Sequence, residues 1–184
     1  MKTLFINTCL REESRTEKLA KYYLKNSGLN YIEIKVQDLN LKALTNTILN
    51  QRNTTDHNDS LFDIPRQFKE ADTIVIATPY YDLSFSALLK DYLENINIVG
   101  LTFEYDENEQ PRSLSNVKKV VYVTTAGGPI ISHEYGYGYV KTMFNVFYKV
   151  EDFTYIYAEK LDLIGADVDS IMNEAYKKID DILK

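Results

Sequence analysis

Ala71-Asp72-Thr73-Ile74-Val75-Ile76-Ala77-Thr78-Pro79-Tyr80-Tyr81-Asp82-Leu83 is the stretch whose reading decides the fold. Ile74 to Ala77 is apolar, rich in β-branched residues and free of polar alternation. Such a run reads as a strand covered on both faces, as in a parallel α/β sheet. Thr78-Pro79 stops it, because proline has no N–H to continue a ladder. Beyond a short aromatic loop, Leu88, Leu89, Tyr92, Leu93 and Ile96 recur at helical spacing. The order is therefore buried strand, aromatic loop, helix. In open α/β sheets, the loops at the carboxyl ends of strands are where ligands bind.

Working outward, Thr3 to Asn7 predicts a first strand and Thr8 to Glu13 a polar loop. Ser14 with Glu17 has the form of a capping box opening a helix to about Asn26. Leu19, Tyr22 and Tyr23 mark its buried face, and Gly28 is placed to end it. Tyr31 to Val36 alternates as an edge strand would. From Gln37 to Asp63 the pattern fades. Leu39, Leu41 and Leu44 could pack, but Asn50 to Ser60 holds almost nothing apolar, so a long exposed loop with room for one short helix is expected. Ile64 to Glu70 reads as a short helix feeding the central strand. Downstream, a helix over 84–99 precedes Thr102–Tyr105 and the turn-like Asp106–Gln110, which predict a small hairpin. Val117–Thr125 is a strand ending in Ala126-Gly127-Gly128-Pro129; a helix lies within 133–149, a last strand at Phe153–Ala158 and a last helix at Asp167–Leu183. Strands alternating with helices predict an α/β fold, a doubly wound five-stranded parallel sheet in one domain spanning residues 1–184.

Composition narrows the function. The 184 residues carry a net charge of −6 without any cluster of Lys and Arg, which argues against nucleic-acid binding. Cys9 stands alone, so no internal disulfide can form. No apolar run is long enough to span a membrane, and Leu4–Ile6 is too short for a signal peptide; a cytoplasmic protein is expected. Neither His57, in the polar loop and read as solvated, nor His133 has acidic residues at metal-ligand spacing, so no metal is expected. Fifteen tyrosines without a tryptophan is an unusual composition to which the sequence attaches no role.

Three loops follow three strands, at Thr8–Thr16, Thr78–Ser84 and Thr124–Pro129, and a parallel sheet brings them to one edge. The first offers hydroxyls and the free N–H groups of a helix start, which suit a phosphate. The second offers aromatic faces. The third offers backbone N–H groups and two glycines that allow close approach to a flat ligand. Phosphate at one end and planar ring at the other describe a mononucleotide, with flavin the best fit. The candidate contacts are Thr8, Cys9, Ser14, Arg15 and Thr16; Pro79, Tyr80, Tyr81, Asp82 and Leu83; and Thr124, Thr125, Ala126, Gly127 and Gly128. Taken singly, Ser14 and Thr16 read as helix caps, one of the two tyrosines as packing, and Gly127-Gly128 as a turn. Their joint placement favours binding.

These residues resemble the flavodoxin-like NAD(P)H-dependent quinone and azo-compound reductases, closest to the FMN-dependent azoreductases. The resemblance spans nearly the whole chain. It is most specific over Ala71–Ser84 and Leu89-Lys90-Asp91-Tyr92, and extends to Gly100–Tyr105, Thr124–Gly128 and Ser14-Arg15-Thr16, which matches the serine-rich phosphate loop. It implies strand order 2-1-3-4-5, a homodimer and one FMN per subunit near the dimer interface. It also implies a ping-pong reaction in which NADH or NADPH reduces the flavin and a small aromatic acceptor, a quinone or azo compound, takes the electrons. Departures from the family pattern are Asp82, where asparagine is usual; Ala126, where arginine or glycine is usual; and Cys9. Glu12 and Glu13 would repel a phosphate unless they point outward. His133 invites a role as proton donor, since some quinone reductases of this fold use a histidine after the glycine loop; the spacing here differs and favours a surface histidine.

Two rivals come from other classes. Cys9 to Thr16 satisfies C-x5-R-[ST], the phosphate-loop signature of cysteine-dependent phosphatases, with Cys9 as nucleophile and Arg15 as clamp. Against it stand the missing glycine, the two glutamates beside a would-be thiolate, and the lack of an Asp-Pro acid motif. A pure flavodoxin-like electron carrier is the second rival. The hairpin at 102–112 and the insertion at 38–63 look like walls of a substrate pocket and favour an enzyme. A response-regulator receiver is excluded because the first strand ends Asn7-Thr8 without acidic residues.

Overall fold

The computed structural model describes residues 2–39, 41 and 43–184. Five parallel strands, β1 (Thr3–Asn7), β2 (Tyr31–Lys35), β3 (Thr73–Ala77), β6 (Lys119–Thr125) and β7 (Asp152–Ala158), form one sheet of order β2-β1-β3-β6-β7. Counting these strands alone, that is the expected 2-1-3-4-5. Every residue of β1 and of β3 is buried. The registers Ile6↔Ile76 and Ile76↔Tyr122 set their carboxyl ends level.

The unbroken apolar run in β3 follows from strand geometry. Successive side chains point to opposite faces, so a strand covered on both sides needs apolar residues at every position. Ile74 and Ile76 join Leu4, Ile6, Val120 and Tyr122 under α3 (Asp63–Lys69), α4 (Ala87–Ile96) and α5 (Tyr139–Tyr148). Val75 and Ala77 join Phe5, Val121 and Val123 under α1 (Arg15–Asn26) and α6 (Val168–Ile182). Each Phe, Leu or Ile buried this way contributes about 1.5–3 kcal/mol before the entropy of ordering it is subtracted.

Local signals fix the ends of α1. Ser14 Oγ accepts from the Glu17 N–H at 3.3 Å. The reciprocal half of the capping box is not made: the Ser14 N–H donates to the Arg11 carbonyl, and Glu17 pairs with Lys21. Gly28, at φ +67°, takes the left-handed step that follows the helix. The expected hairpin is β4 (Phe103–Tyr105) against β5 (Pro111–Ser113), antiparallel, with Phe103 opposite Ser113.

Within 37–63, residues 40 and 42 lie outside the described residues. A helix, α2 (Asn46–Thr54), occupies part of the expected exposed loop and buries none of its residues. Polar contacts hold it in place of an apolar face. Thr45 Oγ1 caps it through the Ile48 N–H, and Arg52 reaches α4, donating to the Glu94 carbonyl at 3.1 Å and to Asn95 Oδ1 at 2.6 Å. His57 is half-buried, packed edge-on against Phe62 with ring centroids 4.9 Å apart, and so is not simply solvated. Among the described residues, no helix is long and apolar enough to cross a membrane.

Candidate functional site

Parallel pairing sends the carboxyl ends of β1, β3, β6 and β7 to the same edge of the sheet. There the chain encloses a cavity of about 320 Å3. Leu10, Arg11, Glu13, Ser14, Arg15 and Thr16 line it from the first loop, and Pro79, Tyr80 and Tyr81 from the second. Thr125, Ala126 and Gly127 line it from the third, and Leu161 and Asp162 from a fourth loop, after β7.

The first side is polar. The opening N–H groups of α1 have no intrahelical acceptors and carry the positive end of its dipole. Thr16 Oγ1 and Thr125 Oγ1 share a hydrogen bond of 2.6 Å, tying the first loop to the third. Arg15 Nη1 donates to Asp162 Oδ1 at 2.6 Å, tying it to the fourth. Glu13 is hydrogen-bonded to the Lys18 ammonium, which holds its carboxyl below the usual range. Its charge is thus answered by Lys18.

The second side is aromatic and continues the sheet. The Thr78 and Tyr80 N–H groups donate to the Val123 and Thr125 carbonyls, at 3.1 and 3.0 Å. Tyr81 and Ser84 then exchange backbone hydrogen bonds of 2.9 and 2.8 Å around Asp82 and Leu83, whose φ angles are +49° and +70°. Two positive φ angles inside a two-residue hairpin make a type I′ turn, whose usual residues are Asn and Gly. Asp82 faces the neighbouring groove and not the cavity. Leu83 is half exposed at the tip and lines neither. Tyr81 is shared between the cavity and that groove, an open trough of about 1070 Å3 that Phe85, Lys90, Tyr135 and Tyr139 also line.

The third and fourth loops are zipped together. Ala126 N–H donates to the Ala158 carbonyl at 2.9 Å, Leu161 N–H to Ala126 at 3.2 Å, Asp162 N–H to Gly127 at 2.8 Å and Lys160 N–H to Gly128 at 2.9 Å. Asp162 explains Gly127: a Cβ there would stand 2.4 Å from Asp162 Oδ2. The space that glycine leaves is filled by a carboxylate, not kept open for a ligand. Gly128 has nothing within 4 Å of its would-be Cβ and lies outside the lining.

Thr8, Cys9 and Thr124 sit beneath the cavity. Thr8 Oγ1 donates to the Ala77 carbonyl at 3.1 Å, and Cys9 Sγ lies 3.8 Å from the same oxygen. Thr124 is 2% exposed, and its Oγ1 finds no partner among the described residues. Burial pushes the Cys9 thiol up to about 11. At neutral pH it is a protonated thiol, unsuited to nucleophilic attack. The phosphatase reading loses its nucleophile, because Cys9 is buried and protonated.

A family model described as flavodoxin-like fold matches residues 1–183. The chain belongs to this flavodoxin-like family. It is 34% identical over 186 residues to an FMN-dependent NADH:quinone oxidoreductase of Coprothermobacter proteolyticus, over 94% of this chain and 92% of that one. A second relative, FMN-dependent NADH:quinone oxidoreductase 2 of Clostridium acetobutylicum, is 43% identical over 117 residues, 61% of this chain and 58% of its own. Among solved structures, an FMN-dependent NADH-azoreductase from Bacillus anthracis in complex with FMN superposes with a TM-score of 0.82 at 25% identity, covering 99% of this chain and 97% of that one.

The flavodoxin-like frame brings Ser14, Arg15, Thr16, Pro79, Tyr80, Tyr81, Thr125, Ala126 and Gly127 into one lining. It leaves Thr8, Cys9, Asp82, Leu83, Thr124 and Gly128 outside that lining. His133 is exposed, outside the cavity, with Nδ1 2.9 Å from Tyr155 Oη. Sequence reasoning missed Leu10, Arg11, Glu13, Leu161 and Asp162 as lining residues. For the last two a signal existed: β7 is parallel to its neighbours, so its following loop must reach the same edge.

Proposed function

We propose that the protein is an FMN-dependent NADH oxidoreductase that reduces quinones and azo compounds. The observation that carries this reading is the two-ended cavity, anion-attracting at the start of α1 and aromatic at Tyr80 and Tyr81. The names of the relatives support the same chemistry, and favour NADH over NADPH as donor. The donor set fits FMN. We assign Ser14, Arg15, Thr16 and the α1 N-terminus to the phosphate, and Pro79, Tyr80, Tyr81 and the Gly127 N–H to the ring. Thr125 supports Thr16 by its hydrogen bond.

When bound, FMN supplies the redox chemistry, taking a hydride from the nicotinamide and returning two electrons to the acceptor. The chain's own task is to bind, orient and exclude water. Tyr80 is braced for this by its backbone bond to Thr125 and by a 3.4 Å contact from its hydroxyl to the Ser132 carbonyl. Both substrates meeting the one flavin in turn suits a ping-pong sequence. The trough beyond Tyr81 is where we place a second copy of the chain: Leu83 at the loop tip beside it and Tyr135 in its wall are 48% and 60% exposed. A cytoplasmic homodimer built from one domain per chain, residues 1–184, completes the reading.

The test is direct. Purified protein incubated with FMN should show a bound-flavin spectrum, melt at a higher temperature, and lose its visible absorbance on anaerobic addition of NADH. Colour should return on adding a quinone. A protein that neither takes up FMN nor gains thermal stability from it overturns the proposal. One that binds FMN but is not bleached by NADH is an electron carrier instead.

A further inference from the structure

The mouth of the cavity is crossed by an ion pair whose two halves lie 147 residues apart in sequence. Arg15 Nη1 stands 2.6 Å from Asp162 Oδ1 and 3.5 Å from the Leu161 carbonyl. Asp162 is held at this spot from its backbone, through the 2.8 Å bond to the Gly127 carbonyl. Its carboxylate lies so close over Gly127 that no other residue fits there without displacing it. Of the two carboxylates in the lining, Glu13 is engaged by Lys18 and Asp162 by Arg15. An anion is therefore already built against Arg15, one of the two arginines in the lining.

We propose that Asp162 is an internal anion that competes with the phosphate of FMN for Arg15, and so sets how reversibly the phosphorylated cofactor is held. The inference rests on reading the cavity as an FMN site. The side chains of Arg15 and Asp162 are 36% and 56% exposed, so the bridge is weak and releases the guanidinium to a stronger anion. The carboxylate stays within reach of Arg15 when the bridge opens, because the zipped backbone holds residue 162 in the lining. A bound phosphate shares Arg15 with a nearby like charge, and its affinity falls accordingly. Riboflavin, which lacks the phosphate, is indifferent to Asp162. The competition therefore acts on the phosphate alone and leaves ring recognition untouched.

The experiment measures dissociation constants for FMN and riboflavin, by quenching of flavin fluorescence, on wild type, Asp162→Asn, Arg15→Gln and the double variant. Asp162→Asn is expected to tighten FMN by about tenfold at low salt, with riboflavin unchanged. The gain should vanish in the Arg15→Gln background. Inorganic phosphate should raise the melting temperature of flavin-free Asp162→Asn more than that of flavin-free wild type. FMN affinity that is unchanged or weaker in Asp162→Asn overturns the inference while the FMN site stands. A gain that is equal for riboflavin, or that persists without Arg15, overturns it as well. Absence of FMN binding to wild type and every variant overturns the site reading and the inference together.

Discussion

The cavity and the trough beside it share Tyr81 but are built on opposite principles. The cavity is small and its groups are already tied. Thr16 holds Thr125, Arg15 holds Asp162, and Ser14 caps α1. The trough is three times larger in volume, about 1070 against 320 Å3, and its aromatic side chains face solvent. Where hydrogen bonds position a group, a ligand gains orientation; where apolar surface is left open, a partner surface gains burial. One region selects, and the other assembles.

The largest expected effect strikes the selecting side. Ser14→Ala combined with Thr16→Ala should weaken FMN binding by on the order of a hundredfold, since each hydrogen bond to a charged group is worth roughly 1.5–3 kcal/mol. Part of the loss should appear without ligand as a lower melting temperature, because Ser14 caps α1 at a cost of about 1 kcal/mol when removed. Titration and melting curves on the same variant separate the two. If affinity survives, the hydroxyls are caps and nothing more.

On the assembling side, Tyr139→Asp places a charge on the apolar wall, where Tyr139 packs against Phe85 at 5.4 Å. A dimer sealed there should dissociate by roughly 2–4 kcal/mol, read as a shift to monomer in sedimentation velocity. A variant that sediments as wild type removes the trough from the interface.

Beneath the cavity, Cys9 gives a pH signature. Its thiol is raised from an ordinary 9.0 to about 11 by burial. The neutral form is the one the fold accommodates. Stability is therefore whole below pH 9.0 and is lost as pH rises through the folded value near 11, because the unfolded chain ionises first. Denaturant unfolding at pH 8 and pH 11 should differ by about 2 kcal/mol more in wild type than in Cys9→Ser. FMN binding and NADH oxidation should be retained in Cys9→Ser, because the thiol lies outside the lining.

The smallest effect belongs to the turn between the two regions. Leu83 holds a φ of +70° with its side chain half exposed. A left-handed conformation costs a β-carbon-bearing residue roughly 1–2 kcal/mol, so Leu83→Gly should stabilise the free protein by about 1 kcal/mol in a thermal melt. A fall instead would mean that Leu83 makes contacts worth more than its strain.

The sheet was legible because burial on two faces demands apolar residues at every position, and β3 obeys that demand throughout. The position of α2 was not, because its stability comes from a threonine cap and an arginine reaching a neighbouring helix, neither of which leaves an apolar period. At the site, the alternation of a strand already separates Thr125, in the lining, from Thr124, buried below it. Gly127 falls in the lining as expected, but the space it leaves is taken by the carboxylate of Asp162, which arrives from far along the chain. Asp82 has a backbone explanation too: φ is positive there, and Asp and Asn tolerate that conformation better than most residues.

The zip between the loops after β6 and β7 has an evolutionary consequence. Four main-chain hydrogen bonds fasten it, and its tip projects outward, with Leu163 half exposed, Ile164 fully so and Gly165 at φ +80°. A wall fastened by peptide groups keeps its shape whatever side chains it carries. Residues 163 and 164 are thus free to drift or to be randomised, and a library restricted to them would vary the exposed tip while the inherited scaffold stays fixed.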